Sequence, residues 1–194
     1  MDYLCLVNPD YGLDKTFIPE HLVKDPSSGI WICECVLDAF NKLSNRLFKE
    51  YMETLCLVSG YRSFEYQHGL YNRKVNFYRL QGMEQCTAQV EASKIVATPG
   101  HSEHQLGLAI DVTSWELHTL EDPLIRSFGE TKVGKWLMEN SYFEGFVLRY
   151  PENKTHITQI AYEPWHYRYV GIEVATFMKQ KGLCLEEYIR LFQG

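Results

Sequence analysis

The chain has 194 residues, 45% of them apolar and 14% aromatic, with a formal charge of −6 at pH 7. These values describe a globular domain long enough to bury a core, and they exclude a disordered or fibrous chain. The negative balance excludes a nonspecific nucleic-acid binder, which needs a Lys and Arg surface, but leaves room for a small anionic substrate held by a local cation.

The first thirty residues carry Pro9, Gly12, Pro19, Pro26 and Gly29 and read as irregular chain with one short strand. Their N-terminal stretch lacks a basic segment and a long apolar core, so no signal peptide is expected. No run of about 18 apolar residues occurs, so no membrane partner is expected either. Residues 31–51 place Ile32, Val36, Ala39, Phe40, Leu43 and Leu47 on one face at helical spacing, with Asp38, Asn41, Lys42, Asn45 and Lys49 opposite. That pattern predicts an amphipathic helix.

Thr54 to Val58 is an apolar run closed by Ser59-Gly60 and predicts a buried strand. Helices are expected over Phe64–Leu80 and Gln85–Lys94, then a break at Pro99-Gly100 and a strand over Leu106–Val112. Residues 113–130, with Pro123 and Gly129, read as a long surface segment. A helix follows from Val133 and a strand over Phe146–Tyr150. A longer strand is expected over Ile157–Val170, interrupted at Pro164, and two short helices over Val174–Lys179 and Leu185–Phe192. This irregular order, without βαβ repetition, predicts a single α+β domain over 1–194 with a mostly antiparallel central sheet flanked by helices.

The six cysteines are scattered and form no C-x-x-C pair. They read as reduced thiols packing as small hydrophobes, which points to a cytoplasmic protein.

Chemistry concentrates in three segments: Gly60-Tyr61-Arg62-Ser63, Pro99 to Val112, and Glu163-Pro-Trp-His-Tyr-Arg168. The middle one gathers His101, His104 and Asp111 around Gly107, a histidine–carboxylate set that suits zinc. Catalytic zinc takes three protein ligands and keeps a fourth position open. Residues seven apart lie about 23 Å from each other on a straight strand. On a helix they lie about 10.5 Å apart along the axis. His104 and Asp111 therefore reach one ion only if the chain turns between them, and Gly107 permits that turn. His166 is the best candidate for a third ligand, with Glu163 three residues before it as a base that is not itself a ligand. Pro164 marks an edge position or a bend, and a bend would bring Glu163 and His166 to one side.

Other readings compete. His21, His68, His118 and His156 read as surface or satisfied histidines, and His101 competes with His104 as a ligand. Glu103 reads as a solvated carboxylate. Of Tyr61, Trp165, Tyr167 and Tyr169, at least half read as core aromatics.

Together these segments resemble the zinc peptidases that contain the D-alanyl-D-alanine dipeptidases and carboxypeptidases of glycopeptide (vancomycin) resistance. The signature SxHxxGxAxD stands here as Ser102, His104, Gly107, Ala109 and Asp111, and ExxH as Glu163 and His166, with an upstream Tyr61-Arg62 and Gln67. Pro19–Val23, Gly145–Pro151 and Trp165–Gly171 also look like the bifunctional members, so the likeness covers nearly the whole chain. His101 departs from the pattern.

The resemblance implies that His104, Asp111 and His166 hold zinc at the sheet, with Glu163 as catalytic base and Arg62 as oxyanion stabiliser. It implies substrate contacts from Ser102, Gln67, Trp165 and Tyr61, and a cap over the site from residues 113–130. The implied substrate is a small peptide, D-Ala-D-Ala itself or the pentapeptide precursor of peptidoglycan. Two alternatives remain: an L-alanyl-D-glutamate endopeptidase of the phage-lysin type, or a non-catalytic zinc-binding domain. The 23 residues after Gly171 are too few for the wall-binding module such lysins often add. A closed structural zinc site needs neither Glu163 nor Arg62.

Overall fold

The structure is a computed structural model, and it describes residues 2–192; Met1, Gln193 and Gly194, which the expected domain includes, lie outside them. In chain order it runs β1 (Leu22–Lys24), β2 (Trp31–Cys33), α1 (Glu34–Tyr51), β3 (Leu55–Ser59), α2 (Phe64–Leu80) and α3 (Gln85–Ser93). Then come β4 (Ala109–Ser114), α4 (Trp115–His118), α5 (Lys132–Asn140), β5 (Phe146–Leu148), α6 (Thr155–Thr158), β6 (His166–Tyr169), α7 (Ile172–Lys181) and α8 (Leu185–Phe192). The fold is α+β. A four-stranded antiparallel sheet has the order β3-β4-β6-β5, and β1 and β2 form a separate antiparallel pair.

Alternation along the two central strands separates a core face from a polar face. Ile110 and Val112 of β4 and Tyr167 of β6 join the main hydrophobic cluster with Val36, Phe40, Leu43 and Leu47 of α1 and Leu137 of α5. Each fully buried side chain of this size contributes about 1.5–3 kcal/mol of transfer free energy. The opposite face carries Asp111, His166 and Arg168, all buried. Polar groups buried on that side of the sheet need partners or a function.

Several elements differ from expectation. Residues 31–33 are strand rather than the first turn of α1, because they pair with Leu22–Lys24. Residues 103–106 form a 3-10 turn, and the strand after it starts only at Ala109. Segment 113–130 is not all surface: Thr113 and Ser114 complete β4, and Phe128 and Gly129 are buried. The long strand expected over Ile157–Val170 shrinks to β6. Residues 155–158 coil into a helical turn and Gln159 takes a left-handed φ of 62°, so the extended run cannot form. Pro164 lies outside the sheet, and β6 is an inner strand, so no edge position is involved. Among the described residues, no helix is long and apolar enough to cross a membrane.

Candidate metal and catalytic site

The site is assembled by three local devices. The first is the pairing of β4 with β6, in which Asp111 stands directly opposite His166. Paired residues of antiparallel strands point to the same face, so both side chains emerge together. The second is Gly107, which ends the 103–106 turn with φ 68° and returns the chain to β4. A Cβ at this position would lie 2.7 Å from Cys33 Sγ, so the tight return needs glycine for both conformation and space. It brings His104 beside Asp111. The third is a turn over Glu163–His166, closed by the His166 amide donating to the Glu163 carbonyl at 3.2 Å. Pro164 takes the second position of this turn, where its fixed φ is favoured. The Glu-x-x-His spacing is thus the spacing of one turn, and Glu163 Oε2 lies 3.6 Å from His166 Nδ1.

One ligand atom from each of His104, Asp111 and His166 falls within 4.8 Å of the others, and all three residues are buried. Asp111 Oδ2 is 3.2 Å from His104 Nε2, and Asp111 Oδ1 is 3.2 Å from His166 Nδ1. Ligands bound at about 2.0–2.1 Å in a tetrahedron are about 3.3 Å apart, so these spacings fit zinc. His104 Nδ1 donates to the Gly60 carbonyl at 2.6 Å, which leaves Nε2 unprotonated with its lone pair toward the cradle. Burial, reinforced by the Arg62 cation, holds the His104 pKa down to about 4, so the ring is neutral as a ligand must be. Burial also opposes charge on Asp111, but His104 and Arg62 outweigh it and keep the carboxyl well below the usual range. Asp111 Oδ1, which faces the cradle, is buried without a hydrogen-bond partner. The donor set therefore fits a divalent cation.

Arg62 already places positive charge there. Its Nη2 donates to Asp111 Oδ2 at 2.5 Å and to His104 Nε2 at 2.7 Å. Its Nε donates to Ser59 Oγ at 3.0 Å and its Nη1 to Gln67 Oε1 at 3.3 Å, so the planar fork is anchored from behind. Glu163 is raised to about 7, chiefly by burial, with the Asp111 charge adding to it and His166 and Arg62 opposing it. For His166, the surrounding carboxylates of Asp111, Glu103 and Glu163 overcome burial and lift the ring to about 9.

A cavity of about 470 Å³ opens onto the cradle, lined by Arg62, Gln67, Ser102, Glu163 and Trp165 among others. Asp122 and Leu124 of the 113–130 segment also line it. Gln67 is used up locally: its amide nitrogen donates to the Ala97 carbonyl at 2.7 Å while its oxygen braces Arg62. Tyr61 does not line the cavity. His101 is drawn away, its Nδ1 lying 2.8 Å from the Asn8 carbonyl oxygen. Tyr167 is in the core, with Trp165 and Tyr169 packed at its margin.

Two features escape the local sequence pattern. Glu103 is not solvated: it is 1% exposed and bonded to two arginines. Tyr150 is buried with its ring 4.8 Å from that of His166 and lines the cavity. Its place in the Gly145–Pro151 stretch is the only sequence signal it gives.

Comparison with known proteins agrees with this geometry. Residues 30–172 match the family described as VanY, D-alanyl-D-alanine carboxypeptidase. The chain is 47% identical over 133 residues to a D-alanyl-D-alanine carboxypeptidase of Enterococcus faecalis, covering 69% of this chain and 46% of that one. The chain thus spans about half the length of this curated relative. Two solved structures are similar at 39% identity and 97% coverage of this chain. One is a VanY D,D-pentapeptidase variant from a VanB-type resistance cassette with Zn(II), with a TM-score of 0.84 and 99% of that chain covered. The other is VanYB with D-alanine-D-alanine, with a TM-score of 0.85 and 97% covered. With its signature residues gathered at one cradle and the match running over most of its length, the chain belongs to the VanY D-alanyl-D-alanine carboxypeptidase family.

Proposed function

We propose that this chain is a zinc-dependent D,D-peptidase. It hydrolyses the D-Ala-D-Ala bond, in the free dipeptide or at the C-terminus of the peptidoglycan pentapeptide precursor, and so confers glycopeptide resistance. The observation that carries this reading is the convergence of His104, Asp111 and His166 with Glu163 and Arg62 at one end of a cavity. The two similar structures, one holding Zn(II) and one D-alanine-D-alanine, support it.

Each residue then has a task. His104 Nε2, Asp111 and His166 Nδ1 would hold the zinc. Bound there, zinc would polarise the scissile carbonyl and acidify the attacking water. Glu163 takes the proton of that water on its carboxylate and delivers it to the nitrogen of the leaving D-amino acid. Burial suits it to both halves of this transfer, because a carboxyl titrating at about 7 can accept and return a proton near neutrality. Arg62, fixed by Ser59 and Gln67, offers a permanent planar donor to the carbonyl oxygen as charge builds on it. Ser102, Trp165 and the brace from Gln67 shape the substrate's seat, with Asp122 and Leu124 bringing the 113–130 segment to it as a cap. Tyr61 supports Arg62 through the backbone, its amide donating to the Trp31 carbonyl at 2.6 Å. All six cysteines are free thiols, which supports work in the cytoplasm, where both substrates are made.

Purified protein should be assayed in parallel with D-Ala-D-Ala, D-Ala-D-Ser and the pentapeptide precursor, with and without zinc chelation. Chelator-sensitive release of D-Ala from dipeptide or pentapeptide is the expected result. Release from neither overturns the proposal.

A further inference from the structure

Behind the metal cradle lies a buried ion cluster that the reaction above leaves unused. The Glu103 side chain is fully buried, as are those of Arg149 and Arg168. Arg149 Nε donates to Glu103 Oε1 at 2.8 Å, and Arg168 Nη1 donates to the same oxygen at 2.7 Å. The remaining nitrogens are satisfied elsewhere. Arg149 gives Nη1 and Nη2 to Glu186 at 2.9 and 2.6 Å. Arg168 gives Nη2 to the Tyr3 and Cys5 carbonyls, each at 2.9 Å. Two carboxylates thus balance two guanidiniums, which is what a purely structural cluster requires.

Charge balance does not explain how Glu103 is aimed. Both arginines converge on Oε1, so Oε2 has no hydrogen-bond partner, and His166 Nε2 beside it has none either. The two are 3.6 Å apart, slightly longer than a hydrogen bond, with both side chains almost inaccessible to water. On its other side, His166 turns Nδ1 toward Asp111 and Glu163. A ligand histidine characteristically gives its second ring proton to a carboxylate, which fixes tautomer and ring plane and raises the basicity of the ligating nitrogen. Glu103 also precedes His104 in the chain. One short turn would then supply one ligand and the orienting group of another.

We propose that Glu103 is a positioning residue for His166: its Oε2 accepts a hydrogen bond from Nε2–H, so that the proton stays on Nε2 and Nδ1 is left unprotonated toward Asp111. Arg149 and Arg168 hold the carboxylate in place by occupying its other oxygen. This inference rests on the assignment of His166 as a zinc ligand.

The test reads metal and ring rather than turnover. In the wild-type protein loaded with 113Cd, 15N NMR of the His166 ring should show metal coupling at Nδ1 and a proton on Nε2. Coupling at Nε2 overturns the proposal, whatever any variant does. In zinc competition titrations, Glu103→Gln should weaken affinity by about 10–100-fold. Glu186→Gln removes a carboxylate from the same cluster on the side away from His166; it should lower the melting temperature but leave zinc affinity within about twofold. Equal affinity losses in the two variants, or none in Glu103→Gln, overturn the positioning role. Should Glu103→Gln not fold, the wild-type NMR result decides. Failure of the wild-type protein to bind zinc would overturn the zinc reading and this inference together. Zinc binding with the wrong ring nitrogen would overturn only the inference.

Discussion

Asp111 and His166 stand directly across from each other in the pairing of β4 and β6, with Asp111 Oδ1 3.2 Å from His166 Nδ1. Two of the three proposed ligands are therefore positioned by sheet register, the most rigid element available. Only His104 depends on a turn. A one-residue slip of β6 would send His166 to the core face, so folding the sheet and forming the metal site are the same event.

Replacement of Asp111 by Asn keeps the shape but removes the charge that faces both histidines and Arg62. Zinc affinity should fall by at least about 100-fold, because neutral amides are poor ligands for this metal. Competition against a chromophoric chelator measures this directly, and unchanged affinity would exclude Asp111 from the metal shell.

Glu163→Ala should separate binding from chemistry. The variant should retain one equivalent of zinc while kcat for D-Ala release drops by about 10²–10⁴-fold, the usual contribution of a general acid–base group. Full activity with metal retained would refute the assigned base.

Arg62→Lys tests geometry rather than charge. An ammonium cannot engage Ser59, Gln67 and the cradle together, as the guanidinium does. Loss of a charge-stabilising donor costs about 10²–10³-fold in kcat. A change within a few-fold would show that positive charge alone suffices.

Gly107→Ala should destabilise the fold. The left-handed conformation costs a non-glycine residue about 1–2 kcal/mol, before the contact with Cys33 Sγ is counted. At about 2–4 °C per kcal/mol, the melting temperature should drop by several degrees. Zinc affinity should fall with it, since the same turn carries His104.

Burial raises the Cys33 thiol to about 12 and that of Cys184 to about 11. The folded protein holds these protons where the unfolded chain, titrating at about 8.5, releases them. Stability from this source is complete below that value and is lost as pH rises toward the folded values. The urea midpoint should decline between pH 9 and 11. At pH 8 a thiol alkylating agent should reach exposed Cys86 well before Cys33 or Cys184, which mass spectrometry of the labelled peptides reads out.

The sequence is most legible where a pattern is local. α2 matches its expected span residue for residue, because Ser63 caps its start, accepting from the Tyr66 amide at 3.2 Å. The candidate ligands and base are legible as residue types at fixed spacing. Longer-range pairing is not. Ile157, Ile160 and Tyr162 carry strand-like chemistry, but Ile157 falls in the helical turn Thr155–Thr158 and the other two pair with no strand among the described residues. Glu103 sits among Ser102, His104 and Gln105 and reads as a polar loop residue; its burial comes from arginines 46 and 65 positions away.

That arginine pair also determines where the protein can be cut. The family match spans residues 30–172, yet Arg168 is held by the backbone at Tyr3 and Cys5, and Arg149 by Glu186. A fragment trimmed to the matched span would leave the two guanidiniums sharing the single carboxylate of Glu103, with an uncompensated positive charge in the interior. The residues that clamp this centre thus lie on both sides of the segment that identifies the family.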